Sequence, residues 1–381
     1  MRGGALLVRA RGRNRRGESE GVVTDLSAIT DVRGAFANQV AYCEANGAPI
    51  TARVVQGIAA ALDGPGEFLR RVRDWQGQPL ADALPLRCAG GLHALHLSGI
   101  EPALAPLYRG EAEGLADAGR LVAAAIAAHE PALLPWLDGP PQTNEAGRSA
   151  NYIAALLWLA AQGLPPRFEC VEIGSSAGIN LMIDRYHYAL SGVAVGPEPG
   201  AIRFEPEWRG PPPPALPAGW SFAALRGCDV APVDLTDPAQ LLRLKAYVWP
   251  EHHQRFDRIE RAAQAARAQR PDLIAQDADA FVAAALAAAQ EAGTTRVLMH
   301  SIVWQYLGAE RQQRIMAAME AAGARATAQR PLAWIALEAN RATYQHELVV
   351  RHWPGDGAPQ LLGRAHAHGA WVEWLAGAWR A

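Results

Sequence analysis

The sequence predicts an α/β protein with a doubly wound, mostly parallel sheet, an antiparallel C-terminal hairpin strand and a separate α-helical N-terminal domain. Three observations support this fold class. A short apolar run, a glycine turn and a helical start follow one another between Phe168 and Arg185. Short apolar runs alternate with helical patterns after that turn, as they do in sheets with crossover helices. Before it, helical patterns follow one another without any strand pattern.

Length and composition allow two domains and limit the choice of partners. The chain has 381 residues, half of them apolar, with a net charge of -2 and a pI near 6.6. We therefore expect a small-molecule substrate and no nucleic-acid partner. The four cysteines are scattered without a C-x-x-C pair, which fits a reducing cytoplasm. No apolar run is long enough to span a membrane, so we expect a cytoplasmic protein without a membrane partner, while its oligomeric state stays open.

The N-terminal part of the chain divides into a leader and a helical domain. Residues 1–30 begin with six arginines in the first 20 positions, and we expect a disordered leader there. Apolar stripes at helical spacing fill residues 31–140, the predicted helical domain. His93 and His96 lie three apart on one helical face, a spacing that can chelate metal, but packing between helices explains them better and no metal is predicted. The α/β domain is expected to cover residues 141–381.

Polar residues cluster just before the glycine turn, in a loop rich in hydrogen-bonding groups. Thr143 can cap the helix that follows, and the helix dipole favours an acidic residue such as Glu145 in the first turn of that helix. Capping does not explain Asn144 and Arg148, which lie four apart in front of an apolar helix. We therefore expect Asn144 and Arg148 to bind substrate, with helix capping as the alternative.

The glycine turn has the spacing G-x-x-x-G, with Glu172 two positions before Gly174. It has neither the G-x-G-x-x-G of pyrophosphate-binding dehydrogenases nor the lysine ending of a P-loop, so we expect a ligand that is not held by its phosphates. Gly174 and Gly178 would let backbone and ligand approach closely, and amides at the start of the next helix could hold an anionic group. An ordinary strand-to-helix turn that binds nothing is the alternative.

Later strands also carry polar residues at their carboxyl ends, where ligands bind in open α/β sheets. The strand Phe222–Leu225 leads to Asp229, a strand from Asp272 leads to Asp277, Val297–Met299 leads to His300 and Ser301, and Leu332–Leu337 leads to Glu338. Asp277 is explained equally well as a helix cap. Glu347–Arg351 and Gln360–His368 form a final hairpin that makes the last strand antiparallel.

The acid and the glycine turn resemble the first motif of class I S-adenosylmethionine-dependent methyltransferases, whose Rossmann-like layout is five βα repeats closed by a hairpin. The resemblance implies S-adenosylmethionine as cofactor, with its methionine end at the turn. It implies an acid on the ribose hydroxyls, for which Asp229 is the first choice and Asp234 or Glu205 the alternatives, and it places Asp277 near the adenine amine. The predicted cofactor-binding residues are Glu172, Gly174, Ser175, Ser176, Gly178, Asn180, Asp229, Asp277 and Ser301.

A set of longer motifs resembles an uncharacterised bacterial family, domain of unknown function 2332 (DUF2332). In chain order they are Thr143-Asn-Glu-x-Gly-Arg-Ser, Val171-Glu-Ile-Gly-x-Ser-Ala-Gly-Ile-Asn-Leu, Arg226-Gly-Cys-Asp-x-x-Pro-x-Asp, Val248-Trp-Pro-Glu and His300-Ser-x-x-Trp-Gln-Tyr-Leu. The resemblance runs from residue 34 to residue 376. It implies a methyltransferase-like fold and names no reaction.

The expected function is an S-adenosylmethionine-dependent methyltransferase that acts on a small polar or anionic acceptor. Such an enzyme has to orient the nucleophile and remove its proton. His300 is the preferred general base, with Glu338, Glu145 and Tyr306 as alternatives, and Trp304 joins the substrate-binding residues. A structural hydrogen bond to a neighbouring loop would explain His300 equally well. Two other functions stay open: a non-catalytic regulatory protein that binds S-adenosylmethionine or a nucleotide, and a nicotinamide oxidoreductase, which the glycine spacing disfavours.

Overall fold

The computed structural model describes residues 30–112, 114–340, 342–343 and 345–376, together with the backbone of residues 10–11 and 21–22. Two short strands, β1 (Ala10–Arg11) and β2 (Gly21–Val22), pair with each other. Apart from these strands and Thr30, the predicted leader lies outside the described residues. The chain forms two compact units, Met1–Thr143 with Pro238–Phe256 and Asn144–Asp237 with Asp257–Ala381.

Helices and strands alternate in the second unit, whereas the first unit, apart from β1 and β2, is helical over its described residues. The α-helices are α1 (Val32–Ala45), α2 (Pro49–Ala61), α3 (Glu67–Arg73), α4 (Leu84–Leu97), α5 (Ala105–Tyr108), α6 (Leu115–Leu133), α7 (Ser149–Ala161), α8 (Pro238–Ala246), α9 (His253–Ala268), α10 (Ala278–Ala287) and α11 (Ala309–Gly323). The further strands are β3 (Arg167–Ile173), β4 (His187–Leu190), β5 (Val193–Val195), β6 (Arg203–Phe204), β7 (Glu207–Arg209), β8 (Ser221–Asp229), β9 (Asp272–Ala275), β10 (Thr295–Ser301), β11 (Leu332–Asn340), β12 (Gln345–Trp353), β13 (Gln360–Ala365) and β14 (Trp371–Trp374). Of the helices within these ranges, none combines the length and the hydropathy that crossing a bilayer requires.

Helices α1 to α6 of the first unit bury a shared apolar core. Phe36, Ile58, Leu92 and Val122 are at most 1% exposed and belong to one cluster. Each comes from a different apolar stripe of the sequence, so the predicted helical stripes are confirmed. Burying one such side chain stabilises the unit by about 2 kcal/mol, which is why the amphipathic pattern determines how these helices pack.

Residues 238–256 return to the helical unit, although the sequence places them in the α/β domain. Helix α8 packs on α4, where His93 Nδ1 lies 3.0 Å from the carbonyl oxygen of Ala246. Glu251 caps the start of α2, because its Oε1 accepts a hydrogen bond from Ile50 N at 2.6 Å. These contacts between residues far apart in the chain explain the segment's position and give His93 a structural partner.

The second unit is built on a nine-stranded mixed sheet in the order β7-β14-β13-β12-β11-β10-β3-β8-β9. Strands β9, β8, β3, β10 and β11 run parallel. The chain moves outward from β3 through β8 to β9 and then returns to the other side of β3 with β10. The winding therefore reverses between β3 and β10, and crevices at such reversal points are the usual ligand sites of open α/β sheets. The predicted mostly parallel sheet is confirmed.

The C-terminal part of the sheet differs from the predicted single hairpin strand. Strands β12, β13 and β14 each pair antiparallel with the strand before them, and β7 pairs parallel with β14. Strand β14 has only four residues, which is too short to give a periodic signal. The helical start after the glycine turn is a 3-10 helix, Ile179–Arg185, interrupted at Met182.

Helices cover both faces of this sheet. Trp353 packs with Phe281 of α10 and Ile315 of α11. His352 precedes Trp353 in β12 and therefore points to the opposite face, where its ring lies 5.8 Å from that of Trp158 in α7. This arrangement is the one expected of a doubly wound sheet.

Candidate functional site

The carboxyl ends of β3 and β10 lie side by side at the winding reversal, and the chain leaves both in an unfavourable backbone conformation. Ser176 follows β3 with a φ of 52°, and Ile302 follows β10 with a φ of 53°. A β-branched residue with positive φ is an outlier that costs on the order of 1–3 kcal/mol and is found most often near functional sites. We therefore take this edge of the sheet as the candidate site.

The two glycines of the turn are surrounded by protein atoms. Gly174 has a φ of 65°, and a Cβ atom there would lie 2.3 Å from Cγ2 of Val303. Gly178 has a φ of 68°, and its Cβ would lie 3.0 Å from Cγ of Pro271. Backbone conformation and internal packing thus explain both glycines without any ligand approaching them.

The backbone amides of the turn are also engaged within the protein. Ser175 N donates to Cys228 O at 3.0 Å, Ser176 N to Asp229 Oδ2 at 2.9 Å, Gly178 N to Ser175 O at 2.7 Å and Ile179 N to Asn144 Oδ1 at 2.9 Å. These four amides therefore have acceptors within the protein, which favours the alternative of a turn that holds no anion through them. Asn144, predicted to bind substrate, uses its Oδ1 to cap the 3-10 helix, which favours the capping alternative.

Glu172 is the buried acid at this edge. Its side chain is almost fully buried, and its Oε1 accepts a hydrogen bond from Asn180 Nδ2 at 3.2 Å. Its Oε2 has no hydrogen-bond partner among the described residues. Burial raises the pKa of Glu172 to about 7, although hydrogen bonding by Ser175 and Asn180 and the charge of Arg148 oppose the shift.

Further buried polar atoms in α7 and in the turn after β3 have no hydrogen-bond partner among the described residues. They are Asn151 Oδ1, Ser176 Oγ and Asn180 Oδ1. Burial raises the pKa of Tyr152 well above its ordinary value and Glu172 raises it further, whereas Ser301 and Arg148 act in the opposite direction. Each unsatisfied buried polar atom costs about 1–3 kcal/mol. Several of them at the reversal point indicate a place that a polar ligand or ordered water completes.

Asp229 lies at the end of β8, in contact with the glycine turn. Its Oδ2 accepts from Ser176 N and its Oδ1 from Ala231 N, both at 2.9 Å. A carboxylate oxygen can accept a second hydrogen bond, so both oxygens keep capacity for a ligand. The alternatives Asp234 and Glu205 pair with arginines instead, and Asp229 is the acid of the three whose hydrogen bond reaches the turn.

Asp277 stands apart from this group. Its side chain is half exposed, and its Oδ1 pairs with Arg311 Nη2 at 2.8 Å. It precedes α10, but its side chain makes no capping hydrogen bond.

His300 is held at both ring nitrogens. Trp334 Nε1 donates to His300 Nε2 at 2.9 Å, and His300 Nδ1 lies 2.7 Å from Glu338 Oε1. Because an indole nitrogen only donates, Nε2 accepts and Nδ1 carries the proton. The same Glu338 oxygen accepts from Val303 N and Trp304 N at 3.1 and 3.2 Å, and the Trp304 ring stacks on His300. The lone pair that a general base would use is taken, which favours the structural role of His300 over the predicted catalytic one.

The polar loop before α7 is fixed by contacts with distant parts of the same unit. Glu145 Oε1 accepts from Gly147 N at 3.1 Å and lies 3.4 Å from Arg258 Nη1. Glu145 is only 3% exposed, so these contacts favour a structural role over the predicted alternative of a general base. Arg148 Nε donates to the carbonyl oxygen of Ala367 at 2.8 Å.

Arg148 supplies the positive charge of the candidate site. Its charge acts on Glu172, Tyr152, Tyr306 and His346. Tyr306 is 73% exposed, so its aromatic ring is available to solvent. His346 belongs to β12 and was not predicted as a site residue, because a single histidine inside a strand pattern matches no motif. The only sequence signal was its position one residue from the start of a strand that follows Glu338.

The comparisons with known proteins identify a family and no relative of known activity. A family model described as an uncharacterized protein conserved in bacteria (DUF2332) matches residues 33–374. No curated protein and no solved structure matches the chain. Within the described residues, His, Cys, Asp and Glu side chains form no group of three or more that could hold a metal ion.

Proposed function

The chain belongs to the DUF2332 family, and from that premise and the strand-end geometry we propose that it is an S-adenosylmethionine-dependent methyltransferase acting on a small polar or anionic acceptor. One observation carries the proposal. Glu172 is buried where the winding of a parallel sheet reverses, and its Oε2 has no partner among the described residues. A buried carboxylate with an unused oxygen suits a cationic ligand group, because the opposite charge offsets the cost of burying the carboxylate.

The residues at this edge fit two parts of such a cofactor. Glu172 Oε2 and Asn180 Oδ1 are acceptors without partners, which suits an amino group that only donates. Asp229 keeps acceptor capacity on both oxygens, which suits the two hydroxyls of a ribose. When bound, the cofactor supplies an electrophilic methyl group on a sulfonium.

The acceptor side of the proposed site involves Glu338, Arg148 and Tyr306. Three donors hold Glu338 Oε1, while its Oε2 has no partner among the described residues and the side chain is 20% exposed. Glu338 Oε2 can therefore accept a hydrogen bond from the hydroxyl or amine of an acceptor and orient it. Arg148 would attract an anionic group, and the exposed ring of Tyr306 offers a surface on which a flat acceptor can pack.

Calorimetry with S-adenosylmethionine and S-adenosylhomocysteine tests the proposal. We expect both to bind the wild-type protein and Glu172→Gln to weaken binding of S-adenosylmethionine at least about tenfold, or about 1.4 kcal/mol, because glutamine keeps the shape but loses the charge. Glu207→Gln is the control, since that carboxylate is 63% exposed and pairs with Arg209.

The other outcomes separate the competing functions. Binding of neither compound would refute the proposal. Binding of NADH or NADPH in their place would favour an oxidoreductase. Tight binding without consumption of S-adenosylmethionine, with all candidate acceptors present, would favour the regulatory protein.

A further inference from the structure

His346 occupies an open position on the α7 face of the sheet, near its carboxyl edge. It shares that face of β12 with His352, which is six residues further along the strand and lies against Trp158. Its partners on the neighbouring strands are Ala339 in β11 and Ala365 in β13. Two methyl groups leave space around an imidazole ring, and the side chain is accordingly only partly buried.

The ring nitrogens of His346 contrast with those of His300. The backbone of His346 is paired in the sheet, but among the described residues no group forms a hydrogen bond with its ring nitrogens. Both nitrogens of His300 are bonded, to Trp334 and Glu338. Of His300 and His346, His346 is thus the one whose lone pair is available to a ligand.

The groups around His346 favour its neutral form. Burial lowers the pKa of His346, the charges of Arg148 and His366 lower it further, and Glu338 acts in the opposite direction. These neighbours come from the loop before α7, from the turn after β13 and from β11. A neutral imidazole with a free nitrogen can accept a proton at neutral pH.

We propose that His346 accepts the proton of the methyl acceptor, and that the acceptor is a small carboxylic acid bearing a hydroxyl or amino group, with its carboxylate drawn to Arg148. This inference rests on the proposed function. The oxygen or nitrogen lone pair of the acceptor forms the new bond to the methyl carbon, and the carbon–sulfur bond breaks with its electron pair passing to sulfur. The acceptor's proton passes to a ring nitrogen of His346, where the Glu338 carboxylate stabilises the resulting charge.

Transfer of label from methyl-labelled S-adenosylmethionine to salicylate, 4-hydroxybenzoate, anthranilate and glycolate tests this inference between pH 5 and 9. With saturating S-adenosylmethionine, so that the ionisation of Glu172 does not limit cofactor binding, we expect transfer to at least one of them at a rate that rises with pH through an ionisation below pH 6.5. His346→Gln should lower the rate at least 100-fold and remove that ionisation, while its affinity for S-adenosylhomocysteine stays within twofold of the wild type. Arg148→Gln should raise the KM for the carboxylate at least tenfold and move the ionisation to higher pH, because a positive charge beside His346 is lost.

His352→Gln is the matched control, because it changes a partly buried histidine on the same face of the same strand, and it should transfer label at the wild-type rate. Transfer by His346→Gln at the wild-type rate would overturn the inference. Binding of S-adenosylhomocysteine without transfer to any of the four acids would also overturn it and would leave cofactor binding intact. Absence of S-adenosylhomocysteine binding would instead refute the proposed function itself.

Discussion

The carboxyl ends of β3 and β10 are neighbours in the sheet, yet their polar groups are in opposite states. At the end of β10, His300 uses both ring nitrogens, and one oxygen of Glu338 accepts three hydrogen bonds. At the end of β3, Glu172 Oε2 and Asn180 Oδ1 are buried without a partner among the described residues. Because each such buried atom costs about 1–3 kcal/mol, the bonded groups at the end of β10 contribute to stability, whereas the buried groups without partners at the end of β3 indicate a binding site.

The largest loss of stability is expected from a substitution of Gly174, which follows β3 and packs against Val303, which follows β10. Gly174→Val would direct a side chain into Val303 at a φ that disfavours any Cβ, so we expect it to lower the free energy of unfolding by about 4 kcal/mol or more. Urea denaturation measures this loss. Gly174→Ala combined with Val303→Gly should recover the packing part and retain about 1–2 kcal/mol of backbone strain. A stable Gly174→Val protein that fails to bind S-adenosylhomocysteine would show that the glycine faces the ligand after all.

The second prediction concerns the hydrogen bonds of His300 at the carboxyl end of β10. His300→Ala leaves the Trp334 indole without its acceptor and removes one donor from Glu338, so we expect a loss of about 2–4 kcal/mol in the free energy of unfolding. The affinity for S-adenosylhomocysteine should stay close to that of the wild type. Unchanged stability together with lost methyl transfer would restore His300 as the general base.

The third prediction concerns the pH dependence of stability that Glu172 causes at the carboxyl end of β3. A glutamate in the unfolded chain ionises near pH 4.5, whereas Glu172 in the folded protein stays protonated up to a pKa of about 7. The folded state therefore binds more protons between these values, and the wild type loses up to about 3 kcal/mol of stability as pH rises through that window. When the free energy of unfolding is measured at pH 4.5 and pH 8, the Glu172→Gln variant should not show this loss of stability. Parallel curves for variant and wild type would mean that Glu172 ionises normally.

The smallest effect is expected at Asp277, whose carboxylate is exposed and paired with Arg311. Asp277→Ala should change the unfolding free energy by less than about 1 kcal/mol, because exposed ion pairs contribute little. Its affinity for S-adenosylhomocysteine, measured by calorimetry, should match the wild type. A drop of tenfold or more would extend the binding edge to β9 and support the adenine contact that the methyltransferase resemblance implies.

The positions of the polar groups could be predicted from the sequence, but their hydrogen bonding could not. Parallel strands end at one edge, so apolar runs followed by Glu172, Asp229 and His300 were enough to bring those residues together. Which lone pairs remain unused depends on residues far away in the chain. The indole of Trp334 donates to His300, which lies 34 positions earlier in the chain, and Asn144 accepts from the backbone of Ile179, which lies 35 positions later.

Short or isolated elements were also beyond the reach of sequence patterns. Strand β14 has four residues, and His346 is a single histidine in a strand, so neither produces a periodic signal. The return of residues 238–256 to the helical unit depends on the cap that Glu251 places on α2, and no local pattern reveals a partner 200 positions earlier.

The return of residues 238–256 to the helical unit limits how the two units can be exchanged by gene recombination or by protein engineering. The chain passes from one unit to the other three times, after Thr143, after Asp237 and after Phe256. A single crossover in the gene can therefore transfer neither unit whole. An N-terminal fragment cut at Thr143 would carry α2 without Glu251 and His93 without the carbonyl of Ala246. A chimera that exchanges the helical unit has to exchange two separate stretches of coding sequence together.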